Sequence, residues 1–307
     1  MAHAADSSRP IALVTAHAAR DLDEDLPPLL AALTERGAAA EIVEWDDPGV
    51  DWSRFGLAVL RSTWDYSARL PEFLGWLERI APVTRVVNPP PVVRWNLDKH
   101  YLAELRRAGA AIVPTIFVEP GDDTAAALRK FLQGHKSADV VIKPVVGSGS
   151  RDAQRHPRAD LNAMTAHLSR LLADRRSVLV QPYLDRVDDQ GETALVYFNG
   201  EFSHAFRKGP LLQRGSESTS ALFAQERITP RTPAADELEL GARALQALPF
   251  GPLVYARIDL IRSADGSPCV LELELAEPSL YFGCSPGSAA RFAQVLAQVL
   301  AQVLANL

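Results

Sequence analysis

Two short stretches near the C-terminus, Tyr255-Ala-Arg257-Ile-Asp259-Leu-Ile and Val270-Leu-Glu272-Leu-Glu274-Leu, alternate apolar and polar residues on either side of Asp265-Gly266. Period-two alternation marks strands with one buried and one wet face, and Asp-Gly is a strong hairpin turn. If the turn centres on Asp265 and Gly266, Asp259 faces Glu272 and Arg257 faces Glu274, so all four side chains share one face. Lengthening the loop symmetrically keeps this register. Pro268 cannot donate a ladder hydrogen bond and favours a bulge, and a one-residue slip would undo the match.

Directly opposed carboxylates repel, which destabilises a hairpin unless something positive sits between them. Magnesium would remove that penalty, because it takes oxygen ligands octahedrally and is held by only one or two carboxylates plus water and phosphate. Asp259, Glu272 and Glu274 are therefore candidate ligands for one or two ions, with manganese an acceptable substitute. Arg257 would set a fixed positive charge beside any oxyanion formed there. On these residues alone a solvated hairpin with an Arg257–Glu274 cross-strand pair stays open.

The 307 residues are 47% hydrophobic, enough for two or three compact units with real cores. A formal net charge of −6 with no large Lys/Arg cluster excludes a nucleic acid backbone as main partner, though a nucleotide needs only a few local lysines. Cys269 and Cys284 form neither metal spacing nor a disulfide framework, so a reducing, cytoplasmic setting is expected. The polar N-terminus lacks an export signal and no membrane span is expected.

Along the first hundred residues short apolar runs alternate with helical patterns: Ile11–Val14, Leu26–Arg36 ending at Gly37, Ala40–Trp45, Leu57–Leu60, Pro71–Ile80 (Phe73, Leu74, Leu77 and Ile80 inward) and Arg85–Asn88 before a stop at Pro89-Pro90-Pro91. This is βαβ grammar and predicts a small parallel sheet. No G-x-G-x-x-G follows the first strand, which removes the main support for a dinucleotide. A helix over Asn96–Ala108 opens a second unit, followed by strands at Ile112–Val118, Val140–Lys143 and Val178–Gln181, with a helix over Arg158–Ala173. Longer strands at Thr193–Phe198 and Phe202–Arg207 precede the hairpin, so the C-terminal two-thirds reads as α+β. Ala-Gln-Val-Leu, repeated three times over Ala293–Leu304, gives a helix with a broad apolar stripe, for core packing or a homodimer contact.

Lys143 ends an apolar strand and is followed by Gly147-Ser148-Gly149-Ser150, a small-residue loop able to fold over phosphates. It is not a Walker A loop, since the lysine precedes the glycines; alone, such a loop is more often a plain turn and Lys143 a surface lysine.

Taken in chain order, Lys99 to Ser288 resembles the ATP-grasp superfamily. The resemblance implies an α/β and α+β molecule: an N-terminal parallel-sheet domain (1–95), a central subdomain with the glycine loop (96–182) and a C-terminal subdomain with the metal site (183–307), the last two clamping ATP. It implies that Lys99 and Lys143 contact ATP, that Gly147, Ser148, Gly149 and Ser150 form the glycine loop, and that Gln181-Pro182-Tyr183-Leu184 is the adenine hinge. Glu192 falls where the family places an acid near ribose or metal, with Asp185 competing. Arg257, Asp259, Glu272 and Glu274 match the family's R-x-D and E-x-N/E pattern, Glu274 departing from the more frequent Asn. The loop from Lys208 to Gln225 resembles the one that closes on the acceptor, with Lys208 or Arg214 meeting the γ-phosphate or a carboxylate. Its other reading is a plain surface loop.

The acceptor side is expected at Arg61-Ser62-Thr63-Trp64-Asp65-Tyr66, at the carboxyl end of a predicted parallel strand, where open α/β sheets bind ligands; a capped turn with Trp64 as a packing anchor stays open. Arg61 would clamp a carboxylate, Asp65 an ammonium, and Trp64 and Tyr66 would wall a small ligand. Ser279, Leu280, Tyr281 and Phe282 are expected near the same pocket. This segment, together with Val-Val-Asn-Pro-Pro and Arg-Trp-Asn-Leu-Asp-Lys, resembles the cycloserine synthetase family within the superfamily. That implies phosphorylation of a small amino acid's carboxylate followed by ring closure of O-ureido-D-serine to D-cycloserine. The alternatives are an intermolecular amino acid or dipeptide ligase and, in another class, a nucleotide-binding regulator whose acids are structural.

Overall fold

The computed structural model describes residues 9–214, 222 and 226–306. Most of the Lys208–Gln225 loop expected to close on the acceptor, residues 215–221 and 223–225, lies outside the described residues. Ile11-Ala-Leu-Val-Thr is apolar along nearly its whole length, the pattern of a strand covered on both faces. It forms β1 (Ile11–Thr15), fully buried, parallel to β2 (Ala40–Glu44) and β3 (Leu57–Ser62). β4 (Arg85–Val87) completes a parallel sheet in the order β2-β1-β3-β4. Helix α1 (Leu26–Glu35) stops before Gly37, whose φ of 72° suits glycine. In α2 (Leu70–Ile80), Trp76 rather than Leu74 joins Phe73, Leu77 and Ile80 in the buried face, because it completes an aromatic cluster with Trp45 and Trp52.

The stop expected at Pro89-Pro90-Pro91 is instead a helix start. A proline in the first turn has its φ preset and lacks an N–H that would go unbonded anyway, so α3 (Pro90–Leu97) begins there. The one helix expected over 96–108 is split: α3 ends at Leu97 and α4 runs Tyr101–Arg107, with Lys99 in the break.

The second sheet, antiparallel in the order β5-β8-β6-β7, comprises β5 (Ile116–Val118), β6 (Asp139–Pro144), β7 (Gln154–Pro157) and β8 (Val178–Pro182). The strand expected over 112–118 shortens because Ile112 bridges to Val270 of the next sheet. Asp123 and Asp160 cap α5 (Thr124–Gly134) and α6 (Leu161–Ala173) by accepting the N–H groups of Ala126 and Ala163. Helix α5 was not anticipated from the sequence, nor was a later helix over Ala235–Gln246. His156 on β7 and His167 on α6 share one hydrogen bond at 3.0 Å in the buried layer between sheet and helix. Burial, with His156 adding to it, depresses His167 from 6.5 to about 4. Above pH 6.5 the ring is neutral folded or unfolded; below it the unfolded chain binds a proton that the fold resists. Stability is therefore expected to fall by about 2 kcal/mol as pH drops from 6.5 to 4. Urea titrations across that window should show the loss shrinking in His167→Gln.

A short helix, α7 (Arg186–Gln190), leads into the third sheet. That sheet joins β9 (Glu192–Phe198), β10 (Glu201–Lys208), β11 (Ile228–Pro230), β12 (Tyr255–Arg262) and β13 (Pro268–Glu274) in the order β11-β10-β9-β12-β13. α8 (Ala235–Gln246) packs on it, and so does α4, through Tyr101, Leu102 and Leu105. The segment from 96 to about 112, placed by the sequence with the second sheet, thus packs its apolar face on the third, keeping contact with the second through Lys99 and His100. α9 (Ser288–Ala305) lays Phe292, Ala293, Leu296 and Leu300 into the core between the first and third sheets. Contrary to expectation, α9 is long and apolar enough in composition to cross a membrane, but that stripe is occupied by core contacts.

Candidate active site

The β12–β13 hairpin has the predicted pairing at its functional end: Arg257 opposite Glu274 and Asp259 opposite Glu272. It reaches that register by a different route. The turn runs from Ser263 to Ser267 with Gly266 at φ 90°, which alone would pair Asp259 with Leu271. A bulge at Leu271 restores the match, since beyond it Leu260 pairs with Val270.

All four charged side chains are engaged. Arg257 donates to Asp259 from Nε (2.8 Å) and Nη2 (2.9 Å), to Glu274 from Nη2 (2.9 Å) and to the Ser279 carbonyl from Nη1 (2.9 Å). Lys208, at the end of β10, meets Asp259 at 2.9 Å, Glu192 at 3.2 Å and Glu226 at 3.5 Å. Gly191 permits this approach: its φ is 67°, and a Cβ there would stand 2.3 Å from the Lys208 carbonyl. Lys99 meets Glu272 at 2.8 Å and donates to the Gly147 carbonyl at 2.8 Å, tying the glycine loop to the hairpin. Lys143 stands 3.8 Å from Glu272.

These groups line one end of a cavity of about 1100 Å³ between the three sheets. The other end is apolar, walled by Val113, Val141, Leu184, Ile261 and Leu271 beside the Gln181–Leu184 strand end. A cavity with an apolar end and an end of convergent ammonium and guanidinium groups suits a nucleoside triphosphate. The electrostatics agree. Burial pushes Lys143 down, opposed by Glu272 and aided by Lys99, so an added phosphate would be welcome there. Burial would raise Asp259, but Arg257 and Lys208 outweigh it and hold the carboxyl at about 2. Burial, then Glu274, pushes Glu277 up to about 8.

Among the described residues no three acid, histidine or cysteine side chains converge as a ready-made metal cage. Magnesium beside phosphate requires only one or two carboxylates. Glu272 and Glu274, on the cavity wall, fit that requirement, whereas Asp259 is 1% exposed, lies behind them and is held by Arg257 and Lys208.

Of the residues expected to bind the acceptor, Trp64, Tyr66, Ser279 and Tyr281 line the cavity. Arg61, Ser62 and Asp65 do not. Arg61 is fully buried and donates to the Pro278 carbonyl at 2.7 Å; Ser62 bonds Thr15; Asp65 accepts from Trp45 and Arg69. Strand alternation and local turn geometry point these three into the domain, so they brace the loop and do not face a ligand. Arg214 is likewise corrected: it pairs with Asp139 at 2.7 Å on the outer side of the hinge, in a separate cavity that Asp185 shares. Glu192, not Asp185, faces the main cavity.

Sequence reasoning missed Asp23, Asp25, Glu226 and Glu277, all on the cavity wall. Asp25 accepts the backbone N–H groups of Leu280, Tyr281 and Phe282 at 2.6, 2.9 and 2.8 Å, holding Tyr281 at its positive φ of 48°. The signal was available: the Asp-x-Asp-x-Asp run at 21–25 follows the first parallel strand at its carboxyl end, the same rule that singled out Arg61–Tyr66.

Comparison with known proteins places this geometry. Residues 11–88 match the family described as D-cycloserine synthetase DcsG, N-terminal domain. The chain is 45% identical over 294 residues to the cycloserine biosynthesis protein DcsG of Streptomyces lavendulae, covering 93% of this chain and 97% of that one. The crystal structure of D-cycloserine synthetase DcsG superposes with a TM-score of 0.89 at 43% identity, covering 94% of this chain and 99% of that one. The ATP-grasp ligase PsnB complexed with minimal precursor, Mg and ADP shares the fold at a TM-score of 0.62 and 20% identity, covering 94% and 96%.

Proposed function

Because the chain belongs to the D-cycloserine synthetase family of ATP-grasp ligases, which form carbon–nitrogen bonds, we propose that it closes O-ureido-D-serine to D-cycloserine by phosphorylating the substrate's own carboxylate. In that reaction a carboxylate oxygen attacks the γ-phosphorus of ATP, the bridging P–O bond breaks and ADP leaves. The nitrogen bonded to oxygen in the ureido-oxy group then attacks the acyl carbon and loses its proton, and phosphate departs with the acyl oxygen. The ring nitrogen still carries a carbamoyl group, whose hydrolysis to carbon dioxide and ammonia completes the product.

The supporting observation is the convergence of Lys99, Lys143, Lys208 and Arg257 with Glu272 and Glu274 at the charged end of a cavity whose other end is apolar. Adenine lies at the apolar end beside Gln181-Pro182-Tyr183-Leu184, and Gly147–Ser150 covers the phosphates. Ser148 gives this cover an anchor, donating to the Trp64 carbonyl at 2.8 Å. Lys99 and Lys143 bind the phosphates, Lys208 meets the transferred one, and Arg257 steadies charge on the acyl oxygen. Glu272 and Glu274, with Asp259 behind them, would hold one or two magnesium ions, and the bound metal supplies charge neutralisation at the phosphates.

The test is ADP release with O-ureido-D-serine as the only amino acid, with mass spectrometry of the product. ADP and D-cycloserine should form with no second acceptor. A requirement for a separate amine would point to intermolecular ligation and end the cyclisation reading.

A further inference from the structure

Resting on the reading that a small amino acid is phosphorylated in this cavity, we propose that Asp23 binds the α-ammonium group of that amino acid and so selects amino acids over their deaminated counterparts. Asp23 lies in the loop after β1, at the carboxyl end of the parallel sheet, and is on the cavity wall although only 6% exposed. Its Oδ1 accepts the Asp25 N–H at 2.9 Å, while its buried Oδ2 has no hydrogen-bond partner. A buried carboxylate oxygen without a donor is costly, and an ammonium group carries three donors and the opposite charge.

The neighbouring acids other than Glu277, whose carboxyl group has no hydrogen bond or ion pair among the described residues and is the rival candidate, have their partners within the protein. Asp25 is taken by the backbone of Leu280–Phe282, Glu192 and Glu226 by Lys208, Glu272 by Lys99 and Glu274 by Arg257. Arg61 stands 3.9 Å from Asp25; it lowers the Asp23 carboxyl from a distance but forms no ion pair with it. Position also fits. Asp25 grips the Leu280–Phe282 backbone and Ser279 immediately before it accepts from Arg257, so Asp25, whose N–H binds Asp23, and Arg257 hold a common segment. A compact zwitterion with its carboxylate at Arg257 places its ammonium toward the N-terminal sheet. Burial raises the Asp23 carboxyl by more than Arg61 lowers it, and a bound cation would oppose that shift.

The experiment uses whichever amino acid drives ADP release by the wild-type protein, O-ureido-D-serine first, together with its deaminated counterpart. In Asp23→Asn, kcat/KM for the amino acid should fall about 100-fold while KM for ATP and the thermal midpoint stay unchanged. The variant should no longer distinguish the amino acid from the deaminated acid. Undiminished discrimination in Asp23→Asn, or transfer of the whole effect to Glu277→Gln, overturns the assignment. If the variant does not fold, competition on the wild type decides: a deaminated acid that binds as tightly as the amino acid also overturns it. Should O-ureido-D-serine fail and another amino acid succeed, the cyclisation reading falls while Asp23 is judged on the acid that works. ADP release with no amino acid at all overturns both.

Discussion

Arg257→Met is expected to lower kcat by about 10³-fold, near the upper range for removing one preorganised oxyanion donor. Methionine keeps much of the side-chain volume and removes the fork that binds Asp259 twice, Glu274 once and the Ser279 carbonyl once. Two separate consequences follow. Asp259, 1% exposed, is left to Lys208 alone, and breaking a buried ion pair from one side costs about 3–5 kcal/mol. Ser279 loses the contact that sets it on the cavity wall. Arg257→Lys separates these effects. A lysine restores charge near Asp259 but not the planar fork, so urea unfolding should recover most of the lost stability while kcat stays at least about 10²-fold down. Steady-state ADP release, with ATP and the amino acid each saturating, reads the first quantity. A fully folded Arg257→Met protein within fivefold of wild-type kcat would remove Arg257 from the chemistry.

The hairpin was legible because its information is local: period two in each strand and Asp-Gly between them. Even there, the half-residue shift of the turn and the bulge at Leu271 offset each other, and neither is written in the strand pattern. The continuous apolar runs at Ile11 and Leu57 likewise marked the parallel sheet without reference to anything distant. What failed was direction within a segment. Arg61 and Ser62 end β3 and Asp65 follows it, positions that sequence reading takes as facing a ligand; whether they do depends on Pro278, Thr15 and Trp45, which are distant in the chain. Arg214 failed for the same reason, because its partner Asp139 lies 75 residues away. Glu226 and Glu277 had no neighbouring motif to single them out, whereas Asp23 stands in the Asp-x-Asp-x-Asp run after the first parallel strand. The proline run misled for a different reason. Proline ends helices that precede it and begins helices that follow it, and only the second applies at Pro90.

Asn88→Ala is expected to be the most destabilising single change outside the cavity, at about 3–5 kcal/mol. Asn88 is fully buried between the parallel sheet and the hairpin. Its Nδ2 donates to the carbonyls of Tyr255 and Leu275, each at 2.9 Å, and its Oδ1 accepts the Val254 N–H at 3.0 Å. Alanine would leave three main-chain groups without the partner that side chain provides, in a place water does not reach. The Tyr255 hydroxyl, which binds the Val87 and Ala276 carbonyls at 2.8 and 2.7 Å, cannot turn to replace it. For a chain of this size the loss corresponds to a fall in Tm of about 10 °C. Asn96 makes the same kind of tie further along, donating to the Leu273 carbonyl and accepting from Leu275 and Ala276. The two asparagines thus fix the end of β13 and the turn to Glu277 against the N-terminal half of the chain. That gives the variant a functional signature beyond its stability. Glu272 and Glu274 sit on the strand being fixed, so at a temperature where Asn88→Ala is still folded, KM for the amino acid, whose proposed site lies between the first and third sheets, should rise more than KM for ATP, whose proposed site lies between the second and third. A Tm within about 2 °C of wild type, or KM values raised equally, would mean that the sheets are held together elsewhere.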